Sequence, residues 1–205
     1  LVSIENLCDN AILLDKGKIV YQGDVLSTIN MYLKGKGNQG KTVVDLKNHM
    51  GRKRGKAVAS TARNIFQEIK ILDKNYKECS SFNIGDSIMF KIQIDNSLDH
   101  HSPKIQIAIH DRTDKAVCIV DAINMLDKPY KINKSGIFSF TINNCRLIPG
   151  YYSVKLGYKS SGSNLVADVI NDAVSFHILS SNDPKSSFNN NSVIVAEGNW
   201  DLELL

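Results

Sequence analysis

The sequence predicts an antiparallel β-sandwich over most of its 205 residues, and two observations carry the prediction. Ile88, Phe90, Ile92 and Ile94 alternate with residues of the opposite face, which is the period of two that a half-buried strand shows. About eight to ten such short runs follow one another between Asn, Asp, Gly, Ser and Pro, a spacing typical of two-sheet sandwiches. The fold class is therefore all-β for the greater part of the chain.

The β-rich segment extends from about residue 59 to residue 205. Ile105, Ile107 and Ile109 alternate in the same way, and further strands are predicted at GIFSFTI, GYYSVKLGY and AVSFHIL. Trp200 alternates with Leu202 and Leu204, which favours an anchor for a last strand over an exposed ring. Aromatic side chains on the apolar faces are predicted to fill the core: Phe90, Phe138, Phe140, Tyr152 and Phe176.

Residues 1–33 have a different pattern, that of a short helix, a hairpin and a second helix. Two apolar runs flank the turn D-K-G-K, in which Gly17 can supply the positive φ of a tight turn. Asp24 is placed to cap a helix that has Val25 and Ile29 on one face. Two strands and two short helices cannot bury a core alone, so this segment is expected to pack against a partner.

Residues 34–58 are basic and Gly-rich and lack a sustained apolar period, which predicts a linker. Positions 34–56 hold eight Lys or Arg and a single Asp, a net charge of +7 in a chain whose total is +4. The remainder is therefore slightly acidic. A solvated tether is the favoured interpretation, contact with anionic headgroups is an alternative, and nucleic acid is not expected as a partner.

Composition argues against a signal peptide, a membrane span and a zinc cluster. No run approaches 18 apolar residues, and the opening LVSIENLCDNAILLD has no basic region ahead of an apolar stretch. The four cysteines never form C-x-x-C, so free thiols in a reducing cytoplasm are expected. A start at Leu1 without Met favours a piece of a longer protein.

The phosphate-loop spacing G-x-x-x-x-G-K-T is satisfied by Gly35, Gly40, Lys41 and Thr42. A functional loop of this kind follows a buried strand and begins a helix, and its backbone N–H groups surround the phosphates. Here VLSTINMYLK before the match has the pattern of an amphipathic helix, and VVDLKNHMGRKRG after it is too polar for the crossover helix. The match is interpreted as coincidental, with nucleotide binding kept as an alternative hypothesis.

Two polar clusters invite a chemical interpretation, but turns and strand ends explain them. The run Asp99-His100-His101 lacks a third ligand at defined spacing, so no metal is expected. His110 and Asp111 end a strand with no nucleophile beside them. His49 and His177 have no suggestive neighbours in the sequence.

A sugar-binding surface needs an exposed ring that packs on C–H groups and polar side chains that hydrogen-bond hydroxyls. Tyr151 points to the opposite face from Tyr152 on its strand and shares its face with Ser153 and Lys155, so it can stand exposed. Strand alternation gives five outward side chains as candidates for carbohydrate binding: Gln93, Gln106, His110, Tyr151 and Lys155. The alternation does not say which of the two sheets is concave.

The first segment resembles the end of an ABC transporter nucleotide-binding domain, just after its switch histidine. The matching elements are L-C-D-N-A at residues 7–11, the D-K-G-K hairpin, Gly23 and the helix ending at Tyr32. This form of the tail is most similar to the ATP-binding subunits that export O-antigen polysaccharide, the Wzt type, and to related teichoic acid exporters.

The β-rich segment agrees with this resemblance. RKRGKAVASTARNIFQEIKILDKN is similar to the opening strand of the domain appended in that family, and SSFNIGDSIMFKIQI to its F-x-x-G-D/E strand. LIPGYYSVKLGY is similar to its L-x-P-G-x-Y-x-V strand, and VINDAVSFHIL to its late D-x-A-x-x-F strand. One departure is Asp114, which stands where relatives often place the Gly of a hairpin turn.

The resemblance implies a homodimeric, immunoglobulin-like sandwich at the cytoplasmic side of the inner membrane, working with a permease subunit. It implies that the domain binds the finished lipopolysaccharide O-antigen chain, including a modified end where one exists, and couples it to export. Because the ATPase motifs are expected upstream, this chain is expected to be no enzyme and to hold no cofactor, while the full-length protein would use Mg-ATP. The alternative is a dimerisation or docking module that binds no glycan.

Overall fold

The computed structural model describes residues 4, 7–34, 40–53, 64–95, 100–101, 104–122, 131–132, 135–159 and 166–179. Within these ranges the helix α1 covers Val25–Lys34. The strands are β1 (Asn10–Asp15), β2 (Lys18–Asp24), β3 (Val43–Asp45), β4 (Arg52–Lys53), β5 (Phe66–Leu72), β6 (Ser81–Phe82), β7 (Ile88–Ile94), β8 (His100–His101), β9 (Lys104–His110), β10 (Ala116–Asp121), β11 (Lys131–Ile132), β12 (Gly136–Ile142), β13 (Gly150–Lys159) and β14 (Val166–Ile178).

Most of these strands form two sheets. The six-stranded sheet has the order β10-β9-β13-β14-β4, with β6 also pairing with β14, and the four-stranded sheet has the order β12-β7-β5-β3. Their pairings are antiparallel apart from that of β6 with β14. The antiparallel sandwich that the alternation predicts is confirmed.

The two sheets bury one common core, because each long strand turns alternate side chains inward. Phe176 of the six-stranded sheet contacts Phe90 of the four-stranded sheet, with ring centroids 5.9 Å apart. Tyr152 stacks on the same Phe176 at 5.5 Å. Phe138 and Phe140 are half-buried and pack against this cluster. All five aromatic residues predicted to be core therefore lie in or against it.

Residues 10–34 form a separate small unit, a hairpin with α1 beside it. Lys16 and Gly17 both have positive φ, 47° and 79°, as a two-residue hairpin turn requires. The carboxylate of Asp24 accepts a hydrogen bond from the Ser27 N–H at 2.8 Å, which confirms its predicted role as helix cap. No helix among the described residues is long and apolar enough to span a membrane.

Residues 40–53 differ from the predicted linker. β3 pairs with β5 of the four-stranded sheet, and β4 pairs with β14 of the six-stranded sheet. Leu46, between them, is fully buried. The segment therefore contacts both sheets as part of the sandwich. Its apolar residues Val43, Val44 and Leu46 are interrupted by Asp45 and flanked by lysines, so no sequence period reveals the segment.

A buried ion pair, Arg52 with Asp168, fixes this segment, and we call residues 43–53 with this pair the clasp. The guanidinium also donates to the carbonyls of Leu46 and Phe66 at 2.6 and 2.7 Å. The carboxylate accepts the N–H groups of Ile65 and Phe66 at 3.0 and 3.1 Å. Burial raises the pKa of Asp168, while the Phe66 N–H and Arg52 act against that rise. Apart from the Arg52 Nε atom, which has no partner among the described residues, the polar atoms of this pair thus satisfy one another inside the core.

Candidate functional site

The structure places four of the five predicted binding residues on one surface and the fifth on another. Gln106 and His110 lie on β9, and Tyr151 and Lys155 lie on β13. All four alternate with buried residues, so they occupy the outer face of the six-stranded sheet. Gln93 lies on β7 and belongs to the outer face of the four-stranded sheet.

The outer face of the six-stranded sheet carries small side chains at several of its central positions. Register pairs Ser153 with Ser175 on one side and with His110 on the other. Further along β13, Gly157 lies opposite Gln106. The longer side chains of Gln106, His110 and Lys155 lie beside and between these small residues, so low and raised positions alternate on this face.

The most specific feature of this face is a stack of two rings at one end. Tyr151 and His177 are directly opposite each other on β13 and β14, with ring centroids 4.2 Å apart and planes within 6° of parallel. They border a hollow of about 320 Å³, to which three serines contribute hydroxyl groups. The residues that line it are Gly40, Ser80, Ser81, Tyr151, Ser175, Phe176 and His177. One apolar platform is therefore set beside several hydrogen-bonding groups.

His177 was missed from the sequence. The only available signal was its outward position next to buried Phe176 in AVSFHIL. Its pairing with Tyr151 depends on the register between β13 and β14, which contains a bulge at Val154/Leu156. Strand alternation cannot supply that register.

The two predicted residues on β9 are engaged by neighbouring groups of the β9–β10 hairpin. The Nδ1 atom of His110 lies 3.0 Å from a carboxylate oxygen of Asp114, and the Gln106 amide donates to Asp121 at 3.0 Å. Asp114 has φ of 63°, the left-handed conformation that glycine adopts most readily. These contacts hold both side chains at the surface in defined positions.

Gln93 borders a second hollow, of about 350 Å³, on the other sheet. Its lining is polar and includes three carboxylates. The residues that line it are Asp45, Lys47, Gln67, Glu68, Gln93, Asp95 and Ser135. Ser135 donates to Asp95 at 2.9 Å. None of these described lining residues is aromatic, so this surface lacks the platform that the first one has.

The phosphate-loop match does not have a phosphate-loop environment. The hydroxyl of Thr42 donates to a carboxylate oxygen of Glu78 at 2.6 Å, and its carbonyl accepts the Ile71 N–H at 2.8 Å. A strand, β3, follows where a helix would be needed, and Lys41 is exposed. Gly35 lies outside the described residues. Among the residues that the structure covers, no three His, Cys, Asp or Glu side chains are grouped so that they could hold a metal ion.

Two comparisons with known proteins find matches. The family model of the Wzt C-terminal domain matches residues 59–190. A solved structure described as the crystal structure of the C-terminal domain of wzt matches with a TM-score of 0.58 at 11% identity, covering 83% of this chain and 94% of that one. Their sandwich is thus shared. A search of curated proteins finds no significant match.

Other solved structures are similar over smaller parts. A glycoside hydrolase family 2 β-glucuronidase matches with a TM-score of 0.36 at 18% identity, over 54% of this chain and 11% of that one. A β-glucosidase from Listeria innocua matches with a TM-score of 0.32 at 14% identity, over 54% of this chain and 16% of that one. TM-scores of this size do not show a common fold.

The family match covers more than half of the sequence, and the structural match agrees with it. The Wzt C-terminal domain is a non-catalytic domain of an ABC transporter subunit. The chain therefore belongs to the Wzt C-terminal domain family.

Proposed function

We propose that this chain is the polysaccharide-recognising part of the ATP-binding subunit of an exporter, and that polysaccharide binds on the outer face of the six-stranded sheet. The observation that carries the proposal is the Tyr151–His177 stack beside a hydroxyl-lined hollow of about 320 Å³. An aromatic ring offers an apolar face to sugar C–H groups, and serine hydroxyls both donate and accept hydrogen bonds.

The shape of this face suits a chain better than an isolated small molecule. On this open sheet face the small residues Ala108, Ser153 and Gly157 lie among longer polar side chains that can hydrogen-bond a ligand laid along β9 and β13: Gln106, His110 and Lys155. A shallow site of this kind keeps much of its water, which predicts a dissociation constant in the micromolar range or weaker. Weak binding at this site suits a subunit that must release the polysaccharide again.

In the exporter, this domain would select the finished O-antigen glycan or its modified end and pass it to the transport step. The nucleotide-binding domain of the full-length subunit would bind Mg-ATP, and the permease would form the membrane passage. The subunit would act as a homodimer at the cytoplasmic face of the inner membrane. These roles follow from the family resemblance, and the binding face described above is the part that the geometry supports.

The test is a titration of the 205-residue chain with polysaccharide purified from the strain that produces the protein. Tyr151→Ala is expected to weaken binding about tenfold, the scale of one lost aromatic contact. Tyr76→Ala is the matched control, because Tyr76 is an exposed tyrosine near Lys91 of the other sheet. Absence of saturable binding by the folded wild-type chain would contradict the proposal.

Gln93→Ala in the same titration separates the two surfaces. Wild-type affinity in this variant is expected if the glycan lies on the six-stranded sheet. If instead Gln93→Ala loses binding and Tyr151→Ala keeps it, the site belongs to the hollow on the four-stranded sheet. A chain that dimerises in sedimentation but binds no glycan would support the docking module.

We also propose that residues 1–33 are the end of the nucleotide-binding domain, a segment that the structure describes at residue 4 and from residue 7 onward. One face of the hairpin, with Ala11 and Leu13, is half-buried beside α1, whose Thr28 hydroxyl donates to the Ala11 carbonyl at 3.3 Å. The opposite face presents three apolar side chains that are more than half exposed: Ile12, Leu14 and Ile19. A two-stranded unit with an uncovered apolar face requires another layer to be stable, and the preceding part of such a domain would supply it.

This second proposal is testable with the same 205-residue chain. Replacing Ile12 and Ile19 by Ser is expected to lower the fluorescence of a bound hydrophobic dye without shifting the unfolding of the sandwich. In the longer subunit the same pair of changes is expected to reduce ATPase activity or folding yield. Full activity of that doubly substituted subunit would exclude a buried role for this face.

A further inference from the structure

Four lysines surround Gly157 on the outer face of the six-stranded sheet. Lys155 and Lys159 flank it along β13, and Lys104 lies directly opposite Lys159 on β9. Lys53 on β4 lies opposite Val169, which is itself the partner of Gly157 on β14. We call these four side chains the lysine patch.

The direct pairing of Lys104 with Lys159 is unfavourable in the free protein, because like charges opposite each other on adjacent strands repel. No ion pair among the described residues includes a member of the lysine patch. The repulsion is therefore not relieved by a neighbouring carboxylate of the described sandwich.

The four-stranded sheet contains a second cross-strand lysine pair, and there the charge is compensated. Lys70 lies opposite Lys91. Lys70 forms an ion pair with Glu68 at 3.2 Å, and the Lys91 ammonium lies 5.3 Å from the centre of the Tyr76 ring. Each lysine of this second pair thus has a favourable partner within the protein, whereas no ion pair of the described residues offsets the charges of Lys104 and Lys159.

Among the described residues, two carboxylates lie near the lysine patch without pairing with it. Asp121 is in the same cross-strand row as Gly157, and its carboxylate accepts the Gln106 amide. Asp172 is exposed at the β14 bulge beside the Lys155 position. Four ammonium groups against two carboxylates leave this end of the face positively charged.

Gly157 leaves the sheet backbone open to a ligand at the centre of the patch. A Cβ at this position would meet nothing closer than the Gln106 Cβ at 3.7 Å, an ordinary contact distance, and its backbone has no left-handed φ. Packing therefore does not require glycine here. Glycine within a strand weakens the sheet and often marks the close approach of a ligand.

From these observations we propose that the polysaccharide bound on this face carries an acidic group, a carboxylate or a phosphate, which the lysine patch binds above Gly157. The inference rests on the proposed function and adds the charge of its ligand. From Tyr151 to Lys159 the strand rises about 26 Å. One extended glycan can thus place a sugar ring at the Tyr151–His177 stack and an acidic group at the patch.

The experiment compares three forms of the polysaccharide purified from the producing strain: native, carboxyl-reduced, and dephosphorylated with aqueous hydrogen fluoride. Each is titrated into the 205-residue chain. Loss of affinity in the carboxyl-reduced form assigns a uronate-type ligand, and loss in the dephosphorylated form assigns a phosphate. Binding of the native form should also weaken as salt rises, since exposed charges are screened.

Charge-removing variants test the protein side. Lys104→Gln/Lys159→Gln is expected to weaken binding of the native polysaccharide about tenfold, the scale of a charge-assisted hydrogen bond. Lys70→Gln/Lys91→Gln is the matched control on the other sheet and should keep wild-type affinity. Both pairs are exposed or half-buried, so the folded structure should persist in each.

The outcomes separate this inference from the proposed function. If native polysaccharide binds with a Tyr151-dependent affinity that neither chemical neutralisation nor the lysine changes alter, the lysine patch has no acidic ligand and the proposed function stands. If the two lysine pairs weaken binding equally, the effect is general charge attraction and the inference is overturned. If no form binds, the proposed function itself fails.

Discussion

Arg52→Met is the change that most directly tests whether residues 43–53 belong to the sandwich. It removes the ion pair with Asp168 and two hydrogen bonds to the carbonyls of Leu46 and Phe66. The carboxylate left behind has a side chain only 1% exposed. Breaking one partner of a buried pair costs about 3 to 5 kcal/mol. Since two backbone N–H groups still bond the carboxylate, we expect the lower end, about 3 kcal/mol.

Urea unfolding followed by circular dichroism measures this loss as a shift of the transition midpoint. For a protein of this size, 3 kcal/mol corresponds to a fall in melting temperature of about 6 to 12 °C. The double variant Arg52→Met/Asp168→Asn removes both charges and keeps a side-chain oxygen for the N–H groups of Ile65 and Phe66, so it is expected to recover part of the stability. Hydrogen exchange of the Asn171 amide, which bonds the Gly51 carbonyl at 2.9 Å, reports whether the clasp has opened.

A solvated tether would respond differently. Substitutions on an exposed linker change stability by no more than about 0.5 kcal/mol. If Arg52→Met stays within that range, and the Asn171 amide exchanges at the same rate as in the wild type, the segment does not stabilise the sandwich. The linker interpretation would then be correct for residues 43–53.

Further predictions concern backbone contact, pH and core packing. Gly51→Ala should destabilise the chain by about 1 to 3 kcal/mol, because a Cβ would lie 2.0 Å from the Asn171 carbonyl oxygen, whereas Gly136→Ala, which meets nothing within 4 Å, should be tolerated. Burial lowers the pKa of His49 from its usual 6.5, and its Nδ1 accepts the Gly51 N–H at 3.0 Å, so the folded state binds fewer protons than the unfolded state. Stability should therefore fall as pH drops below 6.5, and a His49→Gln variant should show a smaller slope in urea midpoints against pH. Phe176→Ala should cost about 3 to 5 kcal/mol in the same urea assay, because it empties the centre of the aromatic cluster; a loss below 1 kcal/mol would mean that the cluster repacks.

Alternation along single strands was sufficient to predict the sandwich and the inward or outward side of most residues. Ile88, Phe90, Ile92 and Ile94 are all buried, because a strand with one face in a core must alternate. The cap at Asp24 was also predictable, since a cap depends on residues three apart in the chain. Strand alternation and capping preferences, which depend on residues close together in the chain, thus predicted the strands and the helix start.

Contacts between distant residues could not be obtained in this way. Asp168 and Arg52 are 116 residues apart, and no local pattern marks their pairing. The stack of Tyr151 on His177 depends on strand register, and the separation of Gln93 from the other four candidates depends on strand order. Both are properties of the assembled sheets, so alternation alone identifies a residue's side of its own sheet but not its neighbours.

The clasp and the candidate site are joined by one strand. β14 carries Asp168 near its start and His177 near its end, nine residues or about 30 Å apart. Eight residues lie between the end of α1 at Lys34 and the start of β3 at Val43, and these nine Cα-to-Cα steps limit the span to about 30 Å. If residues 10–34 move farther from β3 than this span allows, β3 must be displaced. Because the clasp joins this segment to Asp168 of β14, the displacement also acts on the strand that holds His177. Weakening the clasp should therefore alter any dependence of glycan affinity on the nucleotide state of the longer subunit, whereas the affinity of the 205-residue chain alone should change much less.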